Sequence, residues 1–284
     1  MRLGTENLTY IYMPGTPFAT AALKGVTIDI EPGSFNALLG PSGSGKSTLI
    51  QHLNGLLKPT SGRVLVDGRP LGNDRAELLA LRRQVGLVFQ MPEQQFFAES
   101  VFDEIAFAPR NLGLNEEQVK ERVQWSLELV GLEGKNLQKR SPFHLSSGQK
   151  RLVAIASVLA LQPKVLILDE PTAGLDPGGR RHLFSLLSRL NRREKLTVLI
   201  VTHHPEDVAA LADQCLVLSG GRLALAGTPE EVFSQGEELQ RLGLALPPVT
   251  CLMNELNAQG APVPGAVFSL EQARRAINNW FGRG

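Results

Sequence analysis

A loop holding three glycines, set between an apolar run and a helix-forming run, constrains this chain more than any other feature. The loop is Gly40-Pro41-Ser42-Gly43-Ser44-Gly45-Lys46-Ser47, and it fits the pattern G-x-x-x-x-G-K-[ST]. Phe35 to Leu39 ahead of it reads as a short buried strand, and Ser47 to Leu57 behind it carries apolar residues at helical spacing. Glycines let a backbone turn tightly around phosphate, so that amide hydrogens and the positive end of the helix dipole face the anion. In such a loop Lys46 reaches the β and γ phosphates of a nucleoside triphosphate and the Ser47 hydroxyl ligates magnesium, with Thr48 counted among the binding residues. The alternative is a glycine-rich turn that matches by accident, and the strand and helix on either side argue against it.

The rest of the chain is organised around that loop. To about residue 90 it holds short β patterns broken by turns such as Pro59-Thr-Ser-Gly62 and Val66-Asp-Gly68. From about 92 to 160 no convincing strand occurs; Asn115-Glu-Glu-Gln118 caps a helix that aligns Val119, Val123, Leu127 and Val130 on one face. From Lys164 to about Gly227 strands and helices alternate, as a parallel sheet with crossover helices requires. The expected fold is α/β, with a helical subdomain inserted in a nucleotide-binding core. Val165-Leu-Ile-Leu-Asp169-Glu170 is a buried strand running into two carboxylates, and Thr197-Val-Leu-Ile-Val-Thr-His203 is another ending in a histidine, with His204 beside it.

Leu145-Ser146-Ser147-Gly148-Gln149, followed by the helical run KRLVAIASVLAL, is similar to the signature of ABC-type ATPases, usually written LSGGQ. Alone it reads better as an ordinary helix N-cap; behind a phosphate loop and ahead of Leu166-Ile-Leu-Asp169-Glu170 it reads as the signature. A serine hydroxyl and backbone amides at a helix N-terminus suit a γ-phosphate, and in the family this surface faces the nucleotide of the opposite subunit in a head-to-tail dimer. The resemblance implies a P-loop NTPase fold: a RecA-like core with an antiparallel β subdomain, an inserted helical subdomain and a short C-terminal helical extension. It implies that Asp169 holds magnesium, that Glu170 is the general base orienting the attacking water, and that His203 is the switch histidine contacting the γ-phosphate. Gln90, after Val85-Gly-Leu-Val-Phe, matches the glutamine that senses the metal. Ala173-Gly-Leu-Asp176 resembles the loop that crosses the dimer interface. Tyr12 occupies the position of the aromatic that stacks on adenine, whereas Tyr10 reads as sheet packing. Residues 1–228 form the ATPase domain on this reading, and 229–284 an extension that is a candidate dimerisation element.

Phe96, Phe97, Phe102 and Phe107 crowd the segment Met91 to Gly113, directly after Gln90. Some of them belong in the subdomain core; in transport ATPases this region also forms the groove that receives a helix of the membrane subunit. The wording P-E-x-Q-x-F, S-V, E-I-A-F and N-L-G, with Thr16-Pro-Phe18 upstream, resembles the energy-coupling-factor importers. That likeness implies ATP and Mg2+ as ligands and uptake of a vitamin or a cobalt or nickel ion. Its implied partners are a second ATPase subunit, a transmembrane coupling subunit and a substrate-binding membrane protein. Ser147 in place of the usual glycine favours a second cassette that is not identical. An ATPase of a binding-protein-dependent ABC transporter, or a non-transport ABC ATPase acting on nucleic acid, are the other readings.

Composition narrows these. The 284 residues suffice for one large α/β domain and an appendage. A net charge of +1 offers no field for nucleic acid. Two cysteines are too few for a disulfide framework or a zinc site. No run approaches the roughly 18 apolar residues of a membrane span, and Met1-Arg-Leu-Gly-Thr opens no signal peptide, so the expected location is the cytoplasmic face of the cell membrane, peripherally held. Near the end, Thr228-Pro-Glu-Glu231 and Ser269-Leu-Glu-Gln272 open helices, Leu246-Pro-Pro-Val and Gly260 to Gly265 read as turns or a semi-rigid link, and Trp280 and Phe281 either anchor a dimer or pack on the chain's own core.

Overall fold

Alternation along four parallel strands sets the architecture. Phe35, Ala37 and Leu39, Leu166 and Leu168, Val198 and Ile200, and Cys215 and Val217 all enter one core. Their neighbours Leu38, Val165 and Ile167, Leu199 and Val201, and Leu216 and Leu218 enter another. Side chains that alternate between two apolar layers leave no wet face, so this sheet is buried between layers on both sides. The computed structural model describes residues 1–209, 211–265 and 267–282.

In chain order the elements are β1 (Leu3–Tyr12), β2 (Thr20–Ile30), β3 (Phe35–Leu39), α1 (Lys46–Leu53), β4 (Ser61–Val66), β5 (Arg69–Pro70), α2 (Arg75–Gln84) and β6 (Val85–Val88). The helical stretch is next, with α3 (Val101–Asn111), α4 (Glu116–Leu129), α5 (Lys135–Gln138) and α6 (Ser147–Leu159). Alternation returns in β7 (Val165–Asp169), α7 (Pro177–Glu194), β8 (Thr197–Val201), α8 (Pro205–Val208), β9 (Gln214–Ser219) and β10 (Arg222–Gly227). The chain closes with α9 (Pro229–Phe233), α10 (Gly236–Arg241), α11 (Pro248–Ala258) and α12 (Leu270–Phe281). The six-stranded sheet has the order β10-β9-β3-β8-β7-β6, parallel except for β10, and a four-stranded antiparallel sheet has the order β2-β1-β4-β5. Leu3, Leu8, Leu23, Val26 and Ile30 of the smaller sheet pack with Leu49, Ile50 and Leu53 of α1 in the core beneath the larger sheet.

The helical stretch α3–α6 packs through Val101, Ile105, Val119, Val123, Leu127, Val153 and Ile155, a layer continuous with the opposite face of the large sheet. Phenylalanines divide as their alternatives allowed. Phe96 is buried and Phe102 packs against the core, whereas Phe97 is 60% and Phe107 47% exposed. Those two rings meet edge to face at 4.7 Å.

The structure adds what the sequence pattern left out. Helix α2 stands in the stretch read as short strands; it is capped by the Asp74 carboxylate and buries only Leu81 completely, so its apolar stripe is faint. Helix α1 stops at Leu53, before the expected Leu57, because Gly55 turns the chain with φ 70°. Helix α11 fills the stretch between the two segments read as turns or a link, beginning with Pro248 at its first position, where proline forfeits no helical hydrogen bond.

Trp280 packs on a small core of the extension itself, built from Met253, Val263, Val267 and Ala273, while Phe281 is 70% exposed. Thr250 Oγ1 donates to the Val267 carbonyl at 2.6 Å across this core, and Phe268 joins it to the main body by meeting Phe233 at 5.9 Å. Among the described residues no helix is long and apolar enough to cross a membrane. Because Met253 is fully buried in a core of its own, Met253→Ala is expected to cost about 2–4 kcal/mol. Hydrogen exchange would detect the loss over residues 248–281 with protection of the large sheet unchanged; a uniform loss along the chain would contradict a separate C-terminal core.

Candidate nucleotide site

The two outer lines of the site come from adjacent parallel strands. Leu38 pairs with Val201, and Val201 pairs with Asp169, so β3, β8 and β7 end in one row. Beyond that row the backbone still interlocks: the Thr202 amide donates to the Leu38 carbonyl at 3.2 Å, and the Glu170 amide to the Val201 carbonyl at 2.9 Å. The glycine loop, both carboxylates and the histidine pair therefore emerge at the same edge, the carboxyl end of the sheet, where ligands of open α/β folds bind.

Within the loop, Gly40 and Gly45 are required by space as well as by conformation. A Cβ on Gly40 would meet the Leu218 carbonyl oxygen at 2.2 Å and Ser44 Oγ at 2.7 Å, and one on Gly45 would meet the Ala22 carbonyl oxygen at 2.5 Å. Gly43 has open space but φ 76°, so there the backbone angle is the constraint. Pro41 and Ser42 complete the turn, and among the described residues the buried Ser44 hydroxyl has no hydrogen-bond partner. Lys46 begins α1 and is buried; its Nζ donates to the carbonyls of Gly40 at 2.7 Å and Pro41 at 2.9 Å. Burial pushes this ammonium below its ordinary pKa, while Glu170 and Asp169 pull it back up.

Ser47 Oγ donates to Asp169 Oδ2 at 3.0 Å, joining the loop to the strand that carries the acids. Burial raises the Asp169 pKa; the Ser47 hydrogen bond opposes that, the charge of Glu170 adds to it and Lys46 opposes it. Glu170 is buried and held in the left-handed region at φ 47°, a costly conformation for a residue with a Cβ. Its Oε1 lies 2.8 Å from His203 Nδ1, and the rings of His203 and His204 are 4.4 Å apart. His204 turns instead toward Glu206, with Nδ1 3.3 Å from Oε1. Among the described residues no group of three or more His, Cys, Asp or Glu side chains could hold a metal ion. The Ser47 hydroxyl and Asp169 carboxylate, 3.0 Å apart, suit magnesium on a nucleotide, which takes one or two protein ligands and completes its shell with phosphate oxygens and water.

Tyr12, at the end of β1, is 39% exposed, and its hydroxyl shares a hydrogen bond of 3.1 Å with Thr48 Oγ1. Its ring meets Tyr10 edge to face at 4.8 Å, and Tyr10 in turn packs on His52 and the lower core. The Gln90 side chain is exposed just past β6. Ser146 and Gln149 form a reciprocal capping box at the start of α6, with Ser146 Oγ accepting from the Gln149 amide at 3.3 Å and Gln149 Oε1 from the Ser146 amide at 3.2 Å. Ser147 is exposed and Gly148 half-buried in the first turn between them. Both side chains of the capping box thus bond within their own turn, and not to the glycine loop.

One buried residue at this edge has no counterpart in the sequence reading. Arg151 donates to the carbonyls of Gln90 and Ala173. The available signal was its register: Arg151 stands four and eight residues before Ile155 and Leu159, on the apolar face of α6.

The ABC transporter family model matches residues 23–173, which spans the loop, the signature-like turn and the acids. The energy-coupling factor transporter ATP-binding protein EcfA2 of Caldanaerobacter subterraneus subsp. tengcongensis is 48% identical over 277 residues, covering 98% of this chain and 96% of that protein. The EcfA2 of Clostridium acetobutylicum is 49% identical, covering 98% and 97%. Among solved structures, cbiO1 from Clostridium perfringens, part of the ABC transporter complex cbiONQ, superposes with a TM-score of 0.76 at 41% identity, covering 88% of this chain and 98% of that one. The ATP-binding cassette MJ0796, in a dimeric post-hydrolysis state with ADP and Pi, superposes with a TM-score of 0.72 at 30% identity, covering 80% and 98%. Nearly full-length identity, the matched model and the shared fold agree with the order of the motifs, and the chain belongs to the ABC transporter family of ATPases, among the energy-coupling-factor ATP-binding proteins.

Proposed function

We propose that this chain is the ATP-hydrolysing subunit of an energy-coupling-factor importer, held at the cytoplasmic face of the cell membrane and driving uptake of a micronutrient, a vitamin or a cobalt or nickel ion. The observation that carries the hydrolytic part is the contact of Glu170 Oε1 with His203 Nδ1, next to the Ser47–Asp169 bond and the glycine loop. Residues 1–228 make up the ATPase domain and 229–284 an extension, whose first part packs into the main core through Val232, Phe233 and Leu239 and whose later part has a small core of its own around Met253.

On this reading Gly40 to Thr48 bind the phosphates through backbone amides and the Lys46 ammonium, and Tyr12 stacks on the adenine. Ser47, Asp169 and Gln90 would hold magnesium, which would supply neutralisation of charge on the phosphate oxygens. Glu170 takes a proton from the attacking water, and His203 fixes the carboxylate and meets the γ-phosphate. The left-handed backbone of Glu170 and its bond to Val201 supply rigidity, so little reorganisation is left for the reaction itself.

A second cassette supplies the surface of Ser146, Ser147, Gly148 and Gln149 to complete each site. A Cβ on Gly148 would meet nothing in this chain, so a need for a small residue in that turn arises from what docks against it. Ser147 brings a side chain to that surface, which favours a partner cassette of different sequence. The membrane coupling subunit docks at Phe97 and Phe107. Phe107 stands on α3, and the loop that carries Phe97 is fixed by the buried Glu104 carboxylate of that helix, which accepts the amides of Phe97 and Ala98 at 3.0 Å each. A separate membrane protein selects the substrate, and nucleic acid has no part.

Glu170→Gln tests the hydrolytic reading. ATP turnover by the assembled complex is expected to fall roughly 10²-fold or more with nucleotide binding retained; turnover at the parent rate would contradict it. Asp169→Asn separates function from stability. The carboxyl is held above its ordinary pKa, so its ionisation costs the folded state, a cost absent below the unfolded value and fully present once pH exceeds the raised one. The variant is therefore expected to melt at or above the parent temperature at neutral pH without nucleotide, to lose that advantage below about pH 4, and to lose magnesium-dependent turnover by roughly 10²-fold. A lower melting temperature at neutral pH would contradict the electrostatic account.

A further inference from the structure

Arg151 sits in the second turn of α6 and is 6% exposed, a fixed charge taken almost wholly out of water. Among the described residues no carboxylate lies within ion-pair distance of it. Its partners are two backbone carbonyls: Nη1 donates to Gln90 at 2.7 Å and Nη2 to Ala173 at 3.0 Å. Burial pushes the guanidinium below its ordinary pKa, with Glu93 opposing. A guanidinium is a rigid planar fork, so its two bonds also fix the distance between the segments it joins.

Those segments lie at the candidate site. Gln90 comes after β6 with its side chain exposed, so the carbonyl is held while the amide is free to reach outward. Ala173 closes a turn whose amide donates to the Glu170 carbonyl at 3.2 Å, and the next residues lead to Asp176, which caps α7. Arg151 thereby joins three things that the sequence keeps far apart: the helix behind the signature-like turn, the backbone of Gln90, and the segment that begins at Glu170.

We propose that Arg151 is a positioning residue that makes α6, Gln90 and the Glu170–Ala173 turn move as one body, so that docking of the second cassette on the start of α6 sets the geometry of this chain's own hydrolytic site. The proposal rests on the reading of the chain as an ATPase that works in pairs. A packing residue would hold α6 in place without regard to where two carbonyls point. Arg151 instead commits both ends of its fork to the two segments that flank the candidate base and the metal-sensing glutamine.

The test compares Arg151→Met, which keeps most of the bulk and removes every donor, and Arg151→Lys, which restores one point donor, in the assembled transporter complex. ATP turnover and KM are measured there, and ATP affinity and melting temperature on the purified chain. For Arg151→Met the expected result is a fall in kcat of about tenfold or more, with ATP affinity within about twofold, and a partial recovery of kcat in Arg151→Lys. Unchanged kcat would overturn the proposal, and so would parallel losses of kcat and ATP affinity with no recovery by lysine, which describe a structural support alone. If Arg151→Met does not fold, Arg151→Gln is judged by the same criteria. A parent complex that does not hydrolyse ATP contradicts the ATPase reading, and the proposal with it; an active parent with an equally active Arg151→Met contradicts the proposal only.

Discussion

The row of backbone pairing through Leu38, Val201 and Asp169 is the constraint on which the rest of this structure depends. Three strands ending in register deliver the glycine-rich turn, the buried acids and a histidine to one edge without any of these groups having to find the others. The row is stable because each strand is apolar on both faces and neither face has an alternative home in water. A slip of one residue in β7 would exchange Leu166 and Leu168 with Val165 and Ile167 between the two cores and turn Asp169 away from Ser47.

The electrostatics of the edge arise from that burial. Lys46, Asp169 and Glu170 are all nearly inaccessible, and the pKa shifts of the first two are dominated by loss of water. The site carries the free energy of charges it has partly desolvated, which a triphosphate with its metal is suited to neutralise. The lysine is meanwhile held by the carbonyls of Gly40 and Pro41, and Ser47 holds the aspartate, so the groups stay oriented. The strained backbone at Glu170 fits the same pattern, since its cost is borne by a well-packed strand behind it.

Most of this edge was legible in the sequence because the residues are local to apolar runs with sharp ends. Phe35–Leu39, Val165–Asp169 and Thr197–Val201 are unmistakable as buried strands, and only a few polar residues stand at the carboxyl end of each. The glycines at 40 and 45 were legible for the same reason: spacing fixes where the backbone must turn. Three things were not. Helix α2 has too few buried side chains to leave a periodic signal, and α11 begins at a proline pair that reads as a break. Arg151 was hidden because its partners are main-chain carbonyls, which every residue has, and which no side-chain motif can announce. The sequence also left Trp280 between two readings, and within this chain it packs, partly buried, on the extension's own core.

Taken together, these features suit one member of a pair at a membrane. Ser147 is exposed and Gly148 half-buried in the turn of the capping box at the start of α6, and the exposed aromatic pair joins Phe97 on a braced loop to Phe107 on α3. Tagging the chain in its own cell, dissolving the membranes in detergent, and identifying what is purified with it tests this most directly. The expected result is a second ATPase cassette of different sequence together with a membrane-spanning protein, in a complex that hydrolyses ATP. Recovery of the chain with nucleic acid, or without any membrane protein or second cassette, would contradict it.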